Sequence, residues 1–277
     1  MLIVDNFLVC HGRTPFTHSD HGLWQPYSPP DFSARRAALR AGDVLVWRCV
    51  LGAAPAWVHT VPLSEEEWQR TQRLHFACDR QHYLFAHRLL RGLLEGCSGV
   101  PATDLQLAVT GDGKPWLSQM PDLQFNMSHA GDAVLIGLAW QRAIGVDLET
   151  QANLPSDRTG LYELARYCLS AQEWRLFAGR CDAHTFLTLW TRKEALLKAE
   201  GGGLTHMRET SLATAPADAG DWLTVEFRAQ RWRVLDMVLD GRLQAAVAIA
   251  GEAGARVRSY CLGWYRPTLA AAAESQA

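Results

Sequence analysis

Residues 186–204 read FLTLWTRKEALLKAEGGGL, and the rest of the chain is best understood around them. Phe186, Leu189, Trp190, Leu196 and Leu197 recur at helical spacing among Ala, Leu, Lys and Glu, which predicts a helix. The run Gly201-Gly202-Gly203 predicts its stop, because glycine enters the left-handed cap conformation without a steric penalty. Trp190, Glu194 and Lys198 are four apart, so they stand in one row along one face. Alone, such a Glu–Lys pair is a solvated ion pair worth about 0.3–0.5 kcal/mol. Its meaning depends on acids and bases elsewhere in the chain.

With 277 residues the chain can bury a full core, as one large domain or two modest ones. Charged residues make up 20% and the formal net charge is −2, which disfavours a general nucleic-acid binder and a membrane-surface protein. Seven scattered cysteines with no C-x-x-C pair argue against a disulfide framework or a structural zinc site and for a reducing compartment. The opening MLIVDNFLVCHGRTPF lacks a basic start with a long apolar run, and no stretch has the length of a membrane span, so the chain reads as cytoplasmic.

Residues 1–40 read as a loop-rich extension; His11, His18 and His21 there lack metal-ligand spacing. Residues 43–50 alternate as a strand. Ser64 followed by Glu67 is a capping-box pattern that predicts a helix from about Glu65 to about Leu94, broken near Phe76, with its outer faces rich in Arg and His. Short strands are predicted over 105–110, 123–128, 133–140 and 143–149, with turns at 111–115, 129–132 and 141–142. Residues 161–178 read as helical with a break at Ser170, which caps the segment carrying Glu173. Four strands follow over 222–264, two of them joined at Asp240-Gly241. The order helices, sheet, helices, sheet predicts an α+β fold of two similar halves with antiparallel sheets, residues 1–142 and 143–266, and a disordered tail over 267–277.

Asp147 and Glu149 lie in IGVDLE with Ile144, Val146 and Leu148 interleaved. On a strand the two carboxylates share one face and the apolar residues the other. Two acids side by side repel unless a cation lies between them, and few hard oxygens completed by phosphate and water suit Mg²⁺. Lys114 sits in a Gly-x-Gly-Lys-Pro turn that can aim it at an anion. His129 follows Ser128 in FNMSHAGD, beside a turn of small residues, where it can contact phosphate.

Together, GDGKPWL (111–117), FNMSHAGDAVLIGLA (125–139), IGVDLE (144–149) and LWTRKEALLKAEGGGL (189–204) resemble the signature blocks of 4′-phosphopantetheinyl transferases. Order and spacing are similar to the larger, monomeric, surfactin-synthetase-activating type, which serves carrier proteins of secondary metabolism and fatty acid biosynthesis. The resemblance spans roughly residues 65 to 205. It implies a pseudo-dimer of two α+β halves with coenzyme A in the cleft between them. It implies Asp147, Glu149 and Glu194 as Mg²⁺ ligands and Lys198 as the group that stabilises or protonates the departing 3′,5′-ADP phosphate. By the same likeness Lys114 and His129 contact the 3′-phosphate and pyrophosphate end, and Ser128 and Tyr83 lie near the adenine. Either Glu194 or Glu173 serves as base toward a serine of an acyl or peptidyl carrier protein, directly or through water. Relatives that hold the 3′-phosphate with lysines and an arginine around the first helix are matched here only by Arg70, Arg73, Arg80 and His82, with Arg73 and Arg80 ranked first. Two other readings stand beside this one: another coenzyme A-dependent transferase, which needs no carboxylate trio, and a non-catalytic carrier-binding relative, which has no use for one.

Overall fold

The computed structural model describes residues 32–203, 206–209, 211–213, 222–237, 239, 243–251 and 255–262, and the backbone of 24–26. The elements in chain order are β1 (Trp24–Pro26), α1 (Phe32–Arg40), β2 (Val44–Val50), α2 (Glu65–Arg73), α3 (Ala77–Ser98), β3 (Leu107–Val109), β4 (Pro115–Leu117), β5 (Leu123–Ala130), β6 (Ala133–Trp140) and β7 (Ile144–Thr150). There follow α4 (Arg158–Cys168), α5 (Ala171–Arg180), α6 (Ala183–Glu200), β8 (Leu223–Phe227), β9 (Gln230–Met237), β10 (Leu243–Ala250) and β11 (Val257–Leu262).

Two sheets form, ordered β1-β11-β2-β6-β5 and β7-β10-β9-β8, with β3-β4 as a separate small hairpin. Strand alternation then builds four layers. Leu45, Trp47, Phe125, Ile136 and Leu138 face α3, where Phe85, Leu89, Leu93 and Leu94 meet them. The opposite face of the first sheet, with Val44, Val46 and Leu135, packs on Val146, Leu148, Val247 and Ile249 of the second. The far face of the second sheet, with Ala246 and Ala248, receives Ala195, Leu196 and Ala199 of α6. The stack is therefore helix, sheet, sheet, helix, the α+β architecture of two helix-on-sheet halves that the sequence predicts. Alternation along β7 puts Ile144, Val146 and Leu148 between the sheets and Asp147 and Glu149 on the other face, toward α6.

Three details differ from expectation. Residues 32–40, read as loop, form α1, whose Phe32, Ala38 and Leu39 pack onto the α3 core while its arginines dilute the apolar signal. The sheets are not wholly antiparallel, since β1 and β11 pair in parallel, as do β11 and β2. Thus residues 257–262, from the C-terminal part of the chain, complete the first sheet. Finally, β5 runs through His129 to Ala130, and only Gly131-Asp132 turn, with Gly131 at φ 54° as a tight hairpin of this type demands. The expected Asp240-Gly241 turn, the 267–277 tail and most of 1–31 lie outside the described residues. Among the described residues no helix is long and apolar enough to cross a membrane.

The capping box is present. Ser64 Oγ accepts from Glu67 N at 3.2 Å, and Ser64 N donates to Glu67 Oε2 at 2.9 Å. Glu67 is also the hub between α2 and α3, accepting from Arg91 Nε at 2.6 Å and pairing with His87 Nδ1 at 2.9 Å. Burial alone would raise its carboxyl, but hydrogen bonds from His87 and Ser64 and the Arg91 charge outweigh burial and hold it near about 2. A carboxyl lower in the folded state stabilises the fold above its unfolded value of about 4.3, and that contribution, about 3 kcal/mol, is lost as pH falls toward about 2. We expect the urea midpoint to drop more steeply between pH 5 and pH 2.5 in the wild type than in Glu67→Gln; equal slopes would contradict this.

Candidate active site

The site depends on how closely α6 can lie on β7. A Cβ placed on Gly145 would stand 2.1 Å from Ala195 O and 2.4 Å from Ala199 N. Both are backbone atoms of α6, so no side-chain rotation relieves the clash. Gly145→Ala is therefore expected to destabilise the fold by about 1–3 kcal/mol and, by displacing α6, to cut turnover by about 10²-fold. Thermal melts and initial rates check this; wild-type values for both would show that the approach is not tight.

Two ion pairs, one partly and one fully buried, fix the rotation of α6. Arg192 makes a bidentate contact with Asp236 on β9, Nε–Oδ1 2.8 Å and Nη2–Oδ2 2.6 Å, and donates from Nη1 to Leu212 O at 3.0 Å. Lys193 Nζ meets Glu173 Oε2 at 2.6 Å, with both side chains 0% exposed. With its capped N-terminus at Asp182 and its stop at Gly201, φ 97°, the helix is held at both ends and on its back.

The front carries the row Trp190, Glu194 and Lys198. Trp190 Nε1 donates to Glu149 Oε1 at 3.2 Å, and Lys198 Nζ donates to Asp147 Oδ1 at 2.6 Å. The row thus lies along the two β7 carboxylates. A third element arrives from the first sheet, where β5 runs beside β7. Asn126 Oδ1 accepts from Val146 N at 2.9 Å, and two residues on Ser128 Oγ donates to Asp147 Oδ1 at 3.0 Å and accepts from Lys198 Nζ at 3.1 Å. The candidate site is this seam between the halves.

Its electrostatics are those of too many acids. Burial first, and then the Asp147 charge, push Glu149 up to about 7 and Glu194 up to about 8. Burial opposes the Lys198 charge, but Asp147 and Glu194 overcome it and keep the ammonium above its ordinary range. Asp147 is 2% exposed and its Oδ2 is buried with no hydrogen-bond partner. Anionic oxygens crowded together with one unmatched are suited to a hard divalent cation. Among the described residues, no three His, Cys, Asp or Glu side chains close into a ready-made metal cage.

Other expected residues lie elsewhere. Glu173 is corrected: it is sealed at 0% exposure, and its carboxylate accepts from Ser170 N, Lys193 Nζ and Leu212 N, so it cannot act as a base on an outside hydroxyl. Lys114 Nζ bonds Ala199 O at 2.7 Å and Ile144 O at 3.2 Å, tying the β3–β4 turn to α6 and β7, and burial brings it down to about 8. One of its three donors remains for an anion. Arg80 Nη1 caps α2 through Leu74 O and His75 O at 2.7 and 3.1 Å, so that nitrogen is committed there, whereas Arg73 is exposed. Tyr83 is buried and stacked on His87 at 3.9 Å beside Glu67. His129 is exposed on β5, on the opposite face from Ser128. Asn126, Arg192 and Lys193 were not read as functional from sequence; the buried arginine and lysine inside an otherwise core-facing helix were the available signal.

The two helix-on-sheet halves thus carry a carboxylate–lysine cluster at the seam between them. Residues 143–248 match the model of the 4′-phosphopantetheinyl transferase superfamily, and residues 53–140 match the model described as 4′-phosphopantetheinyl transferase, N-terminal. The chain is similar to the 4′-phosphopantetheinyl transferase HetI of a Nostoc species (strain PCC 7120), 30% identical over 236 residues, covering 82% of this chain and 94% of the relative. It is similar to the 4′-phosphopantetheinyl transferase psf-1 of Bacillus pumilus, 28% identical over 70% of this chain and 81% of that protein. The 4′-phosphopantetheinyl transferase Sfp of Bacillus subtilis (strain 168) is 29% identical over 51% of this chain and 62% of its own length. The chain belongs to the 4′-phosphopantetheinyl transferase superfamily, and it is an enzyme of that activity with coenzyme A as substrate and carrier proteins as acceptors.

Proposed function

We propose that the seam cluster is where this protein transfers the 4′-phosphopantetheine of coenzyme A to a serine of an apo acyl or peptidyl carrier protein. The serine oxygen forms a bond to the β-phosphorus, the bond from that phosphorus to the bridging pyrophosphate oxygen breaks, and 3′,5′-ADP leaves with that oxygen. The serine proton passes to a base.

The observation that carries this reading is the Lys198 ammonium, held 2.6 Å from Asp147 Oδ1 beside Glu149 and Glu194. Lys198 stabilises negative charge on the departing phosphate, and part of it is open to substrate, with its side chain 30% exposed. With Glu173 enclosed, Glu194 is left as the base, directly or through one water. Asp147, Glu149 and Glu194 are the residues that would hold Mg²⁺. When bound, Mg²⁺ supplies countercharge for the pyrophosphate and for these carboxylates. On the coenzyme A side we assign Arg73, His129 and the remaining donor of Lys114 to the phosphates, with Arg80 and Tyr83 shaping α2 and α3 behind them. We propose a cytoplasmic monomer; the net charge of −2 disfavours nucleic acid or an anionic membrane surface as its partner.

Release of 3′,5′-ADP, followed by anion-exchange chromatography, should require both coenzyme A and an apo carrier bearing its serine. Release with a carrier whose serine is alanine would overturn the reading.

A further inference from the structure

We propose that Ser128 is a positioning residue for the transfer, its hydroxyl holding Lys198 and Asp147 in their working orientation. The inference rests on the transferase reading above and gives Ser128 a task other than a contact near the adenine.

Three elements meet at this hydroxyl: β5 brings Ser128, β7 brings Asp147 and α6 brings Lys198. The contacts close a triangle. Ser128 Oγ donates to Asp147 Oδ1 at 3.0 Å, Lys198 Nζ donates to Ser128 Oγ at 3.1 Å, and Lys198 Nζ donates to Asp147 Oδ1 at 2.6 Å. The position calls for one group that donates and accepts at once, which a hydroxyl does and an alkyl group cannot. Ser128 is 7% exposed, so no bulk water stands ready to replace it.

Each side of the triangle removes a freedom. Lysine carries its ammonium on a flexible four-carbon stem, and one acceptor does not fix it. A carboxylate rotates broadly about its last torsion, so a single partner leaves Oδ1 and Oδ2 interchangeable. With Ser128 and Lys198 both on Oδ1, Oδ2 is the oxygen left without a protein partner. The spacing of β5 and β7 does not depend on this hydroxyl, because Asn126 Oδ1 already binds Val146 N at 2.9 Å. Loss of the hydroxyl therefore loosens the reacting groups without parting the strands.

Threonine and valine have nearly the same shape, so Ser128→Thr against Ser128→Val isolates the hydroxyl at equal added volume. We expect Thr to keep kcat within about 3-fold of wild type and Val to lower it about 30-fold or more, with KM for coenzyme A within about 3-fold in both. Ser128→Ala, which adds no volume, should show the same loss as Val even if the branched variants fold poorly. Melting temperatures are measured alongside to separate orientation from stability. Equal kcat for Thr and Val, wild-type kcat for Ala, or a loss confined to KM would overturn the inference while wild-type transfer persists. A wild type that modifies no carrier would instead remove the transferase reading and this inference with it.

Discussion

Asp147→Asn should lower kcat/KM for carrier modification by about 10³-fold, some 4 kcal/mol of transition-state stabilisation, while the protein keeps its fold. The substitution preserves shape and removes one charge. Asp147 is where three parts of the site converge: Lys198 is paired to its Oδ1, Ser128 donates to the same oxygen, and its charge helps raise both Glu149 and Glu194. A neutral amide ends the ion pair and withdraws the anionic oxygen offered to a divalent cation. Stability is affected less, because Lys198 is 30% exposed and still has Ser128 as a partner. Initial rates with saturating carrier and varied coenzyme A, beside a thermal melt, give both numbers. A rate within tenfold of wild type would contradict the assignment of Asp147.

Lys193→Met is the largest stability effect we expect, about 3–5 kcal/mol, because it leaves Glu173 buried without its cation. Both side chains are 0% exposed, and among the described residues Glu173 keeps the backbone donors of Ser170 and Leu212. Burial itself pulls the Lys193 ammonium down, and Glu173 is the main influence holding it up. Removing both charges should be less costly than removing one, so Lys193→Met with Glu173→Gln should melt above Lys193→Met alone. Urea unfolding of the wild type, both single variants and the double variant tests this. Additive losses in the double variant would show that the pair does not interact.

Much of the architecture was legible because local and long-range signals agree. The α6 row, the alternation of IGVDLE and the Ser64 and Ser170 caps are each written in short windows of sequence, and the structure contains all of them. The placement of α1 was not, because Phe32, Ala38 and Leu39 sit among arginines that mask the apolar face until α3 covers it. The parallel insertion of β11 beside β2 joins residues more than two hundred positions apart, and no window reads such a pairing. Within the candidate site, the shared strand face of Asp147 and Glu149 and the helix row of Glu194 and Lys198 follow from period alone, and the structure brings these four side chains together. Residue type misled for Glu173, where a carboxylate on a helix start looks the same whether it faces solvent or a buried lysine. The hydroxyl of Ser128 and the amide of Asn126 gained their partners only when β5 came to lie beside β7.

The most direct test of the account is the intact mass of a purified apo acyl or peptidyl carrier protein after incubation with coenzyme A, Mg²⁺ and this enzyme. The account predicts a gain of one phosphopantetheinyl group, absent when the carrier serine is alanine, abolished by EDTA and nearly abolished in Asp147→Asn. No gain across several unrelated apo carriers at stoichiometric enzyme, or an equal gain with Asp147→Asn, would contradict it.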